Sequence, residues 1–84
     1  MTELTSMQNI GKELEKKLKS AGINTAEELT QAGSKEAFIR IKAHYPNICL
    51  VHLYALQGAI DNLEYNRLPD ETKHDLKDFC DNLK

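Results

Sequence analysis

Eighty-four residues with 40% hydrophobic side chains, few aromatics and no tryptophan describe one small domain with an aliphatic core. The formal charge of −2 argues against general nucleic-acid affinity, and it is unevenly spread: residues 1–42 carry seven basic and six acidic side chains, residues 43–84 four basic and seven acidic. A polyanion would therefore approach the first half of the chain and be repelled by the second.

The first residues, MTELTSMQN, have neither the basic nor the apolar region of a secretory signal. Thr5–Asn9 read as one helical turn closed by Leu4 and Met7. At Asn9-Ile10-Gly11 the chain reads as a tight hairpin, because Gly11 takes a positive φ freely and Asn9 tolerates it better than most residues. The spacing of Leu14, Leu18 and Ala21 then predicts a helix over Lys12–Ala21. Glu13–Lys17 and Glu15–Lys19 are i, i+4 pairs in the favourable order on its solvated face, and Gly22 serves as its C-cap. Ile23 should fold back onto the core.

Thr25 and Glu28 fit a capping box at the start of the next helix, which ends at Gly33. Ser34 is the expected N-cap of a third helix over Lys35–His44, with Ala37, Phe38, Ile41 and Tyr45 facing inward and Pro46 stopping it. The one long apolar run follows, Asn47–Leu63. At helical pitch it is apolar most of the way round, so the other segments must cover it on several sides. It is too short for a membrane span of about 18–20 residues and contains His52 and Asp61. Glu64–Leu68 lead out of it to Pro69, which suits the first turn of a last helix. There Leu76, Phe79, Cys80 and Leu83 repeat at helical spacing. No segment alternates with the period of a strand. The expected fold is all-α: a compact bundle of about five helices in one domain over residues 1–84.

Candidate chemistry is sparse. Asn9, Ile10, Gly11, Lys12 and Lys16 could present free helix-end amides and positive charge to a phosphate; the same turn could simply join two packed helices, with Ile10 plugging the core. Cys49 and His52 stand three apart on the apolar run, too few for a metal site, and read as core residues. No base or oxyanion hole accompanies either cysteine, so both read as reduced, inert thiols of a cytoplasmic protein. No metal or cofactor is expected. Leu53, Leu56, Gly58, Ala59 and Ile60 are the expected packing residues of the central helix, with Gly58-Ala59 letting another helix approach closely.

Met7-Gln-Asn-Ile-Gly11, Gly22-Ile-Asn-Thr25, Glu28-Leu29, Gly33 and Ala37 resemble the first half of the TfoX/Sxy C-terminal domain; Leu53-Tyr-Ala-Leu56, Gly58-Ala59 and Leu68-Pro69 look like its second half. The likeness runs from about Leu4 to Leu83, and LYALQGA is its most specific piece. It implies an all-helical domain whose first half resembles a helix-hairpin-helix unit, with Asn9, Ile10 and Gly11 as the hairpin. In larger bacterial proteins of this kind the domain follows a separate N-terminal domain, and some of them regulate competence for DNA uptake. A counterpart of that N-terminal domain is not expected here, so the competence role does not carry over by default. Lys12 stands where the family often has proline and Tyr65 where it often has tryptophan. Asn9 stands where helix-hairpin-helix DNA binders usually have glycine. The expected function is a non-enzymatic binding module for protein–protein contact in a regulatory setting, with a homodimer allowed. The alternative is weak, backbone-directed DNA binding through Asn9–Lys12 and Lys16.

Overall fold

The structure, a computed structural model, describes residues 2–83. Five helices occur among them, α1 (Lys12–Ser20), α2 (Ala26–Ala32), α3 (Ser34–His44), α4 (Leu50–Asp61) and α5 (Asp70–Asp81), together with single 3-10 turns at Leu4–Ser6 and Tyr65–Arg67. No strand is present among the described residues. The all-α bundle expected from the periodicities is the fold.

Local signals set most of the boundaries. Leu14 and Leu18 bury one stripe of α1. Past its end Gly22 takes φ 85°, the Ile23 amide donates to the Leu18 carbonyl at 2.9 Å and the Gly22 amide to Lys19 at 3.0 Å. This is a Schellman closure, and it drives Ile23 into the core as expected. Thr25 caps α2 by accepting from the Glu28 amide at 3.1 Å. The reciprocal bond differs from a strict capping box: the Glu28 carboxylate accepts from the amide of Asn24, one residue earlier, at 3.0 Å. The chain before α1 is tied to the same helix start, since the Ala26 amide donates to the Thr2 carbonyl at 2.9 Å.

Gly33 alone joins α2 to α3, at φ 88°. It takes the N-cap position assigned to Ser34, which instead becomes the first helical residue. Ser34 is only 4% exposed, and its hydroxyl donates to Gln57 Oε1 on α4 at 2.6 Å. A partner on α4 replaces the local capping bond. Ala37, Phe38 and Ile41 of α3 are buried, and Tyr45 is half-buried just past its end, at φ −131° and ψ 78°, outside the helical region that a following proline disfavours.

The central helix starts later than its apolar run. Pro46 and Asn47 form a turn, Ile48 is buried outside any helix, and Cys49 is the extended N-cap of α4. Because Cys49 precedes the helix, its side chain leaves the helical register. It is exposed, not part of the core stripe. Cys80 is half-buried. Helix α4 packs against α3, α5 and the Tyr65–Arg67 turn, so it is covered on several sides. Its start is less covered, and Val51 remains 52% exposed. At the other end Asn62 takes the left-handed conformation (φ 58°), and the Leu63 amide returns to the Gly58 carbonyl at 2.8 Å. Pro69 occupies the N-cap of α5, one place before the first helical position. Leu76 is the fully buried residue of α5; Phe79, Cys80 and Leu83 pack at its margin.

Candidate functional site

The turn ahead of α1 is built by two backbone bonds, from the Met7 amide to Leu4 at 3.0 Å and from the Ile10 amide to Met7 at 3.4 Å. The positive φ falls on Asn9, at 69°. Gly11 has φ −93° and ψ −175°, extended backbone open to any residue. The expected left-handed glycine is therefore absent at position 11, because Asn9 alone completes the reversal.

The Asn9 side chain faces the protein. Its Nδ2 donates to the carbonyls of Leu63 at 2.9 Å and Ala55 at 3.3 Å, and its Oδ1 accepts from the Tyr65 amide at 3.1 Å. One carboxamide thus satisfies backbone groups where α4 ends and the chain turns back. Ile10 is buried beneath the turn. Of the five residues expected to form one contact surface, Gly11, Lys12 and Lys16 are exposed, whereas Asn9 and Ile10 point inward. The clamp could not be read from the chain, since its partners lie 46 to 56 residues away.

Gly58 and Ala59 are buried in α4, as are Leu53 and Leu56, while Ile60 is half-buried. The partner that comes close at Gly58 is a side chain and a loop. A Cβ there would lie 2.5 Å from both Asn9 Nδ2 and the Leu63 carbonyl oxygen. The expected helix-to-helix approach at this glycine is corrected to an asparagine-to-helix approach.

The exposed part of the turn opens on a groove lined in part by Glu3, Gly11, Lys12, Glu15 and Lys19. Gly11 caps α1 without a side chain, so the helix-end amides depend on solvent or a ligand. The charges nearly cancel. Lys17 pairs with Glu13 at 3.7 Å and Lys19 with Glu15 at 3.8 Å. Lys12 and Lys16, one turn apart, pair with no described carboxylate within 4.0 Å.

His52 is half-buried in the first turn of α4. Its Nδ1 accepts from the Cys49 amide at 3.1 Å and lies 3.6 Å from Cys49 Sγ. Among the described residues no three His, Cys, Asp or Glu side chains gather in a metal-ligating group. Along α5, Asp75 pairs with Lys35 at 2.8 Å and Asp81 with Lys77 at 3.1 Å. No helix of the described residues is long and apolar enough to cross a membrane.

Comparison with known proteins adds four findings. The chain has no match among curated proteins. It resembles a crystal structure, in a triclinic form, of an uncharacterized protein from Listeria monocytogenes, with 43% identity and a TM-score of 0.95 over 98% of this chain and 93% of that one. A tetragonal form of a protein of unknown function from the same organism is equally similar, at 43% identity and a TM-score of 0.95 over 98% of this chain and all of that one. The model of the TfoX C-terminal domain matches residues 1–80, essentially the whole chain, and shows that the chain belongs to the TfoX C-terminal domain family.

Proposed function

We propose that this domain is a non-enzymatic binding module that makes protein–protein contacts in a regulatory setting, in keeping with its family. The observation that carries the reading is the inward commitment of Asn9 and Ile10. The Asn9 carboxamide is spent on backbone groups of Leu63, Ala55 and Tyr65, and Ile10 is buried, so the turn keeps only the backbone amides at the start of α1 on the outside. What remains outside is a mixed-charge surface together with exposed apolar side chains at Ile39, Val51 and Tyr65. Such a surface suits a protein partner, a second copy included, in the cytoplasm, and requires no cofactor.

The alternative, weak DNA binding through the turn, is favoured by one feature: the start of α1 has no side-chain cap and sits beside Lys12 and Lys16. That arrangement supplies about two to four phosphate contacts, and the salt dependence would be correspondingly shallow, on the order of −2 to −4 in log–log slope. A pull-down from native cytoplasm with and without nuclease separates the two. A partner retained after nuclease treatment is the expected result; recovery that depends on intact DNA puts the alternative first.

A further inference from the structure

A second groove, of about 450 Å3, lies between α1 and the α3–α4 connection. Its apolar lining is Tyr45, Pro46 and Ile48, and its polar lining includes Lys17, His44 and His52. Among the described residues no acidic side chain lines it.

Two of the donors, Lys17 and His52, have fixed partners. Lys17 Nζ sits 5.2 Å from the centre of the Tyr45 ring as well as 3.7 Å from Glu13, and the Tyr45 hydroxyl lies 3.3 Å from Ser20 Oγ. Lys42 fixes the connection itself, donating to the carbonyls of Pro46 at 3.2 Å and Ile48 at 3.5 Å. His52 accepts from the Cys49 amide through Nδ1, so its neutral ring carries the proton on Nε2. That nitrogen is a donor whether the ring is neutral or charged. The groove therefore combines donors at its polar positions with an apolar surface, inside a chain of net charge −2.

We propose that this groove docks a short acidic segment of a partner protein. Its carboxylates would meet Lys17, His44 and His52, and an aliphatic side chain between them would rest on Pro46 and Ile48. The proposal rests on the reading of the domain as a protein-binding module and names where and what it binds. Charge complementarity sets the occupant. A nucleic acid would bring a dense row of phosphates to a site with one lysine in its lining, within a chain whose second half is acidic. The acidic helix α5 of a second copy is the competing occupant, with Asp75 and Asp81 already paired with Lys35 and Lys77, and the concentration series below tests it.

The test is a titration of isotope-labelled protein, followed by amide chemical shifts, with a blocked peptide alternating Glu, Asp and Leu. The expected result is saturable shifts at Lys17, Tyr45, Asn47, Ile48 and His52. Binding should weaken about tenfold for a peptide with Gln and Asn in place of the acids, and severalfold in Lys17→Gln and His44→Gln proteins of unchanged melting temperature. No shifts at several millimolar peptide, equal shifts from the neutral peptide, or shifts of the same residues by duplex DNA would each overturn the proposal. So would shifts of these residues on concentrating the protein alone, which would place a second copy in the groove. The broader reading fails separately: a nuclease-resistant protein partner recovered alongside an unresponsive groove leaves the module standing and removes only this site.

Discussion

The carboxamide of Asn9 occupies the space that a side chain at Gly58 would need. The two residues are 49 apart in the chain, yet a Cβ on Gly58 would lie 2.5 Å from Asn9 Nδ2. The same Cβ would meet the Leu63 carbonyl oxygen at 2.5 Å, and that atom is backbone with little freedom to retreat. Replacing a helix-interior glycine by alanine ordinarily stabilises by about 1 kcal/mol. Here the sign reverses: Gly58→Ala is expected to destabilise by about 1–3 kcal/mol through forced displacement of a packed neighbour. A thermal melt checks this, and an unchanged or raised melting temperature would show that Asn9 does not close over the helix.

Asn9 itself carries two separable terms, its positive φ and its three hydrogen bonds. Asn9→Gly keeps the backbone conformation and removes the clamp. At about 1 kcal/mol per bond the expected cost is about 2–3 kcal/mol. Asn9→Ala should cost more, because alanine also resists the φ of 69°. The double variant Asn9→Gly, Gly58→Ala should lose less than the two single losses combined, since removing the carboxamide relieves one of the two contacts at Gly58. Strict additivity in denaturant unfolding would show that the two sites do not communicate.

Gly11 behaves differently from what its place after Asn9-Ile10 suggests. Its backbone is extended, it caps α1 without a side chain, and a Cβ there would meet nothing within 4 Å. Gly11→Ser or Gly11→Asp should therefore stabilise, by a few tenths to about 1 kcal/mol, by capping the helix and restricting the unfolded chain. A drop in melting temperature for both would show that the glycine is needed for its backbone. The same substitutions fill the uncapped helix end, so Gly11→Asp should also abolish any DNA affinity the turn has.

These residues mark how far the chain could be read. Helix boundaries came from short-range chemistry: the Thr25 cap, the Gly22 and Ile23 closure, the stop at Pro46 and the start after Pro69 are all decided within a few residues. The core face of α3 followed from spacing alone. What spacing does not contain is the partner chosen by a polar side chain with both local and distant options. Ser34 left its cap for Gln57, and Asn9 reached the far end of α4. Cys49 was misplaced for a related reason: the apolar run is longer than the helix it feeds, and its first residues bury Ile48 from a turn. Lys12 and Lys16 are exposed, but the turn's polar interior serves the fold.

The start of the described chain offers a test in pH. The Thr2 amide donates to both carboxylate oxygens of Glu27, at 2.9 and 3.2 Å, and the Thr2 hydroxyl donates at 2.9 Å. The bond from the Thr2 amide, followed by one from Glu27's own amide and that of the Thr2 hydroxyl, holds the Glu27 carboxyl below its ordinary value of 4.5. A carboxyl whose folded value is lowered favours the folded state above its unfolded value, and that contribution disappears as pH falls through the lowered value. Docking of residue 2 onto α2 should therefore be intact at neutral pH and through pH 5, and should loosen only below 4.5. Because Glu27 is fully solvated, the effect on global stability is small and the readout must be local. The Thr2 amide resonance should titrate together with the Glu27 carboxyl carbon, at a pH below the ordinary glutamate value of 4.5. In Glu27→Gln the Thr2 amide should lose its dependence on pH in this range, while the Thr25 cap of α2 keeps the helix itself unchanged. A Thr2 amide that titrates at the ordinary glutamate value, or that is indifferent to Glu27→Gln, would show that residue 2 is not held by this carboxylate.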